Sequence, residues 1–206
     1  MTDVTDAAAP HVYSPISELN LLKEFADSEA AAGCFAEGFE FCPYDWADAG
    51  LAQWLCLDRT EEHPFLDRLV PFAMASGSGA MYVLWRCDDR EDLATLPVVR
   101  FDDEGDLDVV ARGLRELFQL LALDSESYLT ESEYEFYEEE AMEHAPGHAA
   151  YLDWLEGHFG LTAPEVPDDL MERADEEHGA RFLRWLIPHA PDDMAESLRK
   201  DLSAYE

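Results

Sequence analysis

The stretch Leu69 to Ala111, LVPFAMASGSGAMYVLWRCDDREDLATLPVVRFDDEGDLDVVA, decides the fold. Leu69-Val70-Pro71-Phe72-Ala73 is short and apolar, and Ser76-Gly77-Ser78-Gly79 behind it has turn chemistry. Ala80 to Trp85 is an unbroken apolar run suited to a central strand. Asp88 to Asp92 is a solvated loop, and Leu96 to Phe101 is a further strand. Asp103-Glu104-Gly105-Asp106 makes a tight turn, after which Leu107 to Ala111 pairs back as a hairpin. The connections are too short for crossovers, so the strands are expected to run as an antiparallel meander.

Upstream, Ser14 to Gly33 reads as a helix, with Ser17 as a cap and Leu21, Leu22, Phe25 and Ala32 at helical spacing. Phe39 to Cys42 alternates like a strand, and Leu51 to Leu57 fits either a strand or a short helix. Downstream the pattern becomes helical. Leu114, Leu117, Phe118 and Leu121 form a core-facing stripe within Gly113 to Leu123. Ser127 to Glu143, rich in Glu and Tyr, is expected to be a second helix, broken by His144-Ala145-Pro146-Gly147. Further helices are expected over Ala149 to Phe159, from Pro167, over Arg181 to Ile187, and from Pro191 to Leu202. The expected class is α+β: a central, mostly antiparallel sheet flanked by helices, with a C-terminal all-helical extension. Residues 1–13 read as a disordered lead-in, 14–124 as the α+β core, and 125–206 as a helical extension packed on that core.

The 206 residues suit one domain with an extension. Forty-seven Asp and Glu against thirteen Lys and Arg leave a net charge of −34. Such a surface repels nucleic acids and anionic lipid, so neither direct nucleic-acid binding nor membrane association is expected. No apolar run reaches the length of a membrane span, and Met1 to Pro10 lacks the basic start and apolar stretch of a signal peptide. Cys34, Cys42, Cys56 and Cys87 contain no CxxC pair and read as reduced, mostly buried thiols of a cytoplasmic protein.

Sequence patterns of catalysis fail one by one. Ser78 is preceded by Gly77 but by Ser76 where a nucleophile elbow needs glycine. The same turn lacks the Gly-Lys-Ser/Thr of a phosphate loop. Asp102 to Asp106 misses the calcium-loop spacing, which would place ligands at Arg100 and Ala111. His144 and His148 are four apart, but Pro146 and Gly147 between them oppose a continuous helix; His63, His178 and His189 have no ligand-like spacing. The sequence therefore predicts no catalytic residue, metal or cofactor, and a protein that is not an enzyme. Glu131, Glu135, Glu138 and Glu139, interleaved with Tyr134 and Tyr137, combine carboxylates with the side chain favoured at binding hot spots.

From Leu69 to about Asp124 the chain resembles the SUKH superfamily, which includes bacterial immunity proteins and a fungal regulator of cell-wall synthesis. The resemblance is carried by Pro71-Phe72-Ala73, Gly77-Ser78-Gly79, Leu84-Trp85, Leu96-Pro97-Val98-Val99, Glu104-Gly105, Val109-Val110-Ala111 and the helix Leu114 to Leu121, in that order and spacing. It implies an immunity protein that binds and neutralises a cognate polymorphic toxin, often a nuclease or deaminase acting on nucleic acid. A non-enzymatic regulatory or scaffold protein of the same fold is the alternative. Nucleic-acid-acting toxins carry basic clefts, to which an acidic inhibitor would be steered. Two acidic zones are the expected toxin-binding surfaces: Asp102, Asp103, Glu104, Asp106 and Asp108 at the hairpin, and Glu131, Tyr134, Glu135, Tyr137, Glu138 and Glu139 after it.

Overall fold

The computed structural model describes residues 13–42, 50–58, 62–77, 79–102, 105–125, 127–130, 133–136 and 144–205, with 127–136 as backbone only. Five strands form one antiparallel sheet in sequence order: β1 (Glu40–Phe41), β2 (Leu69–Met74), β3 (Met81–Trp85), β4 (Val98–Phe101) and β5 (Leu107–Ala111). This is the expected meander. Pro71 has no N–H for a ladder, and the β2–β3 register shifts between Pro71 and Ala73, a bulge that accommodates it.

Helices cover both faces of the sheet. Every residue of β3 is buried, and its side chains divide by parity. Tyr82 and Leu84 join a core with Phe72, Val98 and Val110, covered by α1 (Ser17–Ala26), α2 (Leu114–Leu121) and α3 (His148–Phe159). Met81, Val83 and Trp85 join a second core with Val99, Phe101 and Val109, covered by α4 (Asp168–Leu186) and α5 (Asp192–Leu202). A strand covered on both faces must be apolar throughout, which is why Ala80 to Trp85 lacks polar alternation. Leu51 and Leu55, in and just after the helical turn 50–54, close the second core.

The segment after residue 124 supplies Tyr151, Leu155, Leu170 and Met171 to the first core and Ala174, Phe182, Leu183, Leu186 and Leu198 to the second. No separate core forms beyond that boundary among the described residues. Local chemistry sets the helix ends. In α2, Glu116 accepts from the Arg112 amide at 2.8 Å and pairs with its guanidinium, satisfying an amide just before the helix. Asp168, Asp169, Asp192 and Asp193 lie in the first turns of α4 and α5, favourably placed in the helix-dipole field.

Several expectations are corrected. Residues 127–130 and 133–136 are not helical: β6 (Ser127–Thr130) pairs antiparallel with β7 (Glu133–Phe136), so the segment after α2 is not all-helical. The remainder of the proposed second helix, 131–132 and 137–143, lies outside the described residues. The helices expected from Pro167 and from Arg181 are one helix of 19 residues, α4. Ser17 does not cap α1; its hydroxyl donates to Glu18, while Asn20 accepts from the Ser14 amide at 2.9 Å. Tyr13 is not part of a loose lead-in, since its hydroxyl donates to the Phe72 carbonyl at 2.7 Å. Cys42 is buried and Cys87 partly so, but Cys34 and Cys56 are exposed, and all four are free thiols. No helix among the described residues is long and apolar enough to cross a membrane.

Candidate functional site

The first acidic zone sits at the β4–β5 hairpin. Its turn closes through the Asp102 amide on the Asp106 carbonyl, 2.9 Å, and the Gly105 amide on the Asp102 carbonyl, 3.3 Å. Gly105 has φ of +104°, where a side chain would be strained. The Trp54 indole N–H donates to the Asp102 carbonyl, and the Trp54 ring meets Phe101 edge-on at 4.8 Å. The base of the hairpin is thus anchored in the second core.

The described hairpin carboxylates do not share one environment. Asp106 is exposed, and Asp103 and Glu104 lie outside the described residues. The Asp102 side chain is largely covered and pairs with Arg100 at 2.5 Å. Asp108 is a correction: it is 6 % exposed, opposite Arg100 in the β4–β5 register, and therefore buried within the sheet and not displayed at the tip. Burial pushes its carboxyl up to about 7, against the pull of Arg100 and with the help of Asp106, Asp175 and Asp102. Asp108 is a poor surface contact and a strong sensor of local charge.

Two carboxylates from distant sequence augment the zone. Burial raises Asp201, at the end of α5, and Asp106 raises it further. Burial raises Asp175 on α4, opposed by the Tyr205 hydroxyl, which donates to Asp175 Oδ1 at 2.5 Å. The fold thus gathers carboxylates from the hairpin turn, β5, α4 and α5 around one end of the sheet. Sequence reading missed Asp175 and Asp201, because only the packing of α4 and α5 over the second core brings them there.

In the second zone, Tyr134 and Glu135 occupy β7, with Tyr134 paired to Leu129 and Glu135 to Tyr128. Glu131, Tyr137, Glu138 and Glu139 lie outside the described residues. The helix expected to carry these six residues is replaced, over 127–130 and 133–136, by an antiparallel strand pair.

The remaining candidates behave as follows. Ser78 lies outside the described residues. His63 contacts the Asp58 carbonyl at 3.0 Å, and His189 stacks on Phe65 at 4.6 Å. His178 is buried, which lowers its proton affinity. His148 opens α3 and His144 precedes the Ala145–Gly147 turn, so the pair is not on one continuous helix. Their rings nevertheless stack at 4.7 Å.

No known protein family, curated protein or solved structure matches the chain.

Proposed function

We propose that this is a SUKH-type immunity protein that binds a cognate bacterial polymorphic toxin and neutralises it in the cytoplasm. The partner is a basic toxin acting on nucleic acid, a nuclease or a deaminase. In this reading the protein is not an enzyme, and it contacts neither nucleic acid nor membrane directly.

One observation carries the reading: carboxylates from the hairpin turn, β5, α4 and α5 converge on the hairpin end of the sheet, within a chain of net charge −34. Like charges repel, so neighbouring acids raise one another's proton affinity, and the cluster takes up its full negative charge when a basic group is brought beside it. A basic cleft relieves that repulsion on binding and is drawn to it at long range. The Trp54 anchor holds the hairpin in place, which lowers the ordering cost of association. The proposal is tested by expressing the product of the adjacent gene with and without this protein. Copurification in a stable complex, with cell growth restored, supports it. A neighbouring product that is toxic and neither bound nor neutralised refutes the pairing.

A further inference from the structure

A second constellation lies on the first-core face, where α2 ends, α3 begins and the segment after α1 passes. Asp124 follows α2 with φ of +52°, in the left-handed region that few non-glycine residues occupy. Its side chain is fully buried. Oδ1 accepts from the Glu37 amide at 2.8 Å and Oδ2 from the Ala145 amide at 2.7 Å, so the carboxylate is locked in orientation. Its ion-pair partners among the described residues are His144, with Nδ1 3.1 Å from Oδ2, and His148, with Nδ1 3.9 Å from the same oxygen.

An independent observation concerns His148. It is 7 % exposed, and its Nδ1 is buried with no hydrogen-bond partner. The ring also hydrogen-bonds the Phe35 backbone, and with Nδ1 unpartnered that bond falls to Nε2. A proton held at Nε2 leaves the Nδ1 lone pair aimed toward a buried carboxylate, an arrangement that calls for a cation between them.

We propose that Asp124, His144 and His148 bind one divalent first-row transition metal ion, with zinc as the reference ion, through Asp124 Oδ2 and the two Nδ1 atoms. The three ligand atoms lie within 4.8 Å of one another. Zinc–nitrogen and zinc–oxygen bonds of about 2.0–2.2 Å in a tetrahedral site place neighbouring ligands roughly 3.3 Å apart. The 3.1 Å and 3.9 Å separations from Asp124 are within 1 Å of that value, while the two Nδ1 atoms, up to 4.8 Å apart on stacked rings, close on one ion only as His144 turns out of the stack. His144, with 72 % of its side chain exposed, provides both the freedom to adjust and the access path for the ion. Two imidazoles with one carboxylate favour zinc, nickel, cobalt or copper over magnesium and calcium. The outer partners are those of a built site: the Phe35 backbone on His148, and two backbone amides on Asp124. The three protein ligands leave a position open to water. The site would tie the start of α3 to the end of α2, and it is independent of toxin binding.

The test is calorimetric titration of chelator-treated full-length protein with zinc chloride in millimolar magnesium chloride, which occupies weak carboxylate sites. One equivalent should bind per chain with micromolar or tighter affinity. His144→Ala, at an exposed position, should weaken binding at least tenfold, while His189→Ala should leave it unchanged. Added zinc should raise the melting temperature of the wild type and not that of His144→Ala. Absence of a saturable equivalent under magnesium, or wild-type binding by folded His144→Ala, would overturn the proposal. His148→Ala removes a buried side chain and is scored only where its circular dichroism matches the wild type; wild-type affinity in that folded variant would also overturn it.

Discussion

Replacing Asp108 with Asn should change how stability depends on pH. The Asp108 carboxyl is buried opposite Arg100 and titrates at about 7 in the folded protein, against an ordinary 3.8. Well below pH 4 the group is protonated both folded and unfolded and contributes nothing to pH dependence. Between pH 4 and 7 the unfolded chain ionises while the folded chain keeps its proton, so the native state loses stability as pH rises. At 1.36 kcal/mol for each pH unit of separation, the gap amounts to a ceiling of about 4 kcal/mol, fully developed above pH 7. Asn is nearly isosteric and cannot ionise. Urea unfolding of both proteins at pH 4, 5, 6, 7 and 8 therefore gives a difference curve. Asp108→Asn should gain on the wild type by roughly 2–4 kcal/mol between pH 4 and 7, most of it between pH 5 and 7. Asp201 is raised by burial too and acts in the same direction in both proteins, so it cancels in the difference, whereas Asp175 repels the ionised Asp108 and adds to the gain of the Asn variant. A flat difference curve would refute the reasoning, because it would mean that Asp108 ionises as readily folded as unfolded.

Four further outcomes follow from the packing. Tyr151→Phe should cost about 1 kcal/mol in chemical denaturation, since its buried hydroxyl donates to the Phe118 carbonyl at 2.8 Å; Phe182→Ala, in the opposite core, should cost about 3–5 kcal/mol. Gly147→Ala should destabilise by roughly 1–3 kcal/mol or more, because a Cβ there would overlap the Ala31 carbonyl; a thermal melt matching wild type would contradict that contact. Limited proteolysis of the native protein should spare residues 148–202, whose apolar side chains complete both cores.

The sheet was legible because its strands are short apolar runs separated by turn residues, and the unbroken run Ala80 to Trp85 marked the strand covered on both faces. The 127–136 hairpin was not recognised because the glutamate run reads as helix-forming. Yet Tyr128, Leu129, Thr130, Tyr134 and Phe136 are β-prone, and Glu133 to Phe136 alternates with period two. The continuity of α4 was obscured by Gly179, which packs against Asp175 and Tyr205 instead of ending the helix. Asp108 was misplaced because an aspartate beside an acidic turn looks like turn surface. Only the pairing with β4 shows it held inside, across from Arg100. The histidines were considered only at helical spacing. Stacking across the Ala145–Gly147 turn, with a carboxylate twenty residues earlier in the chain, leaves no local sequence pattern.

The central claim is that the acidic end of the sheet recognises a basic protein. Its most direct test is the association rate with the adjacent-gene product at low and high salt, for wild type and for a hairpin carrying Asp103→Lys, Glu104→Lys and Asp106→Lys. The account predicts fast, salt-sensitive association for the wild type, and slower association with a flattened salt dependence for the reversed hairpin. Association that is insensitive both to salt and to the reversal would contradict it and assign the acidity to solubility alone.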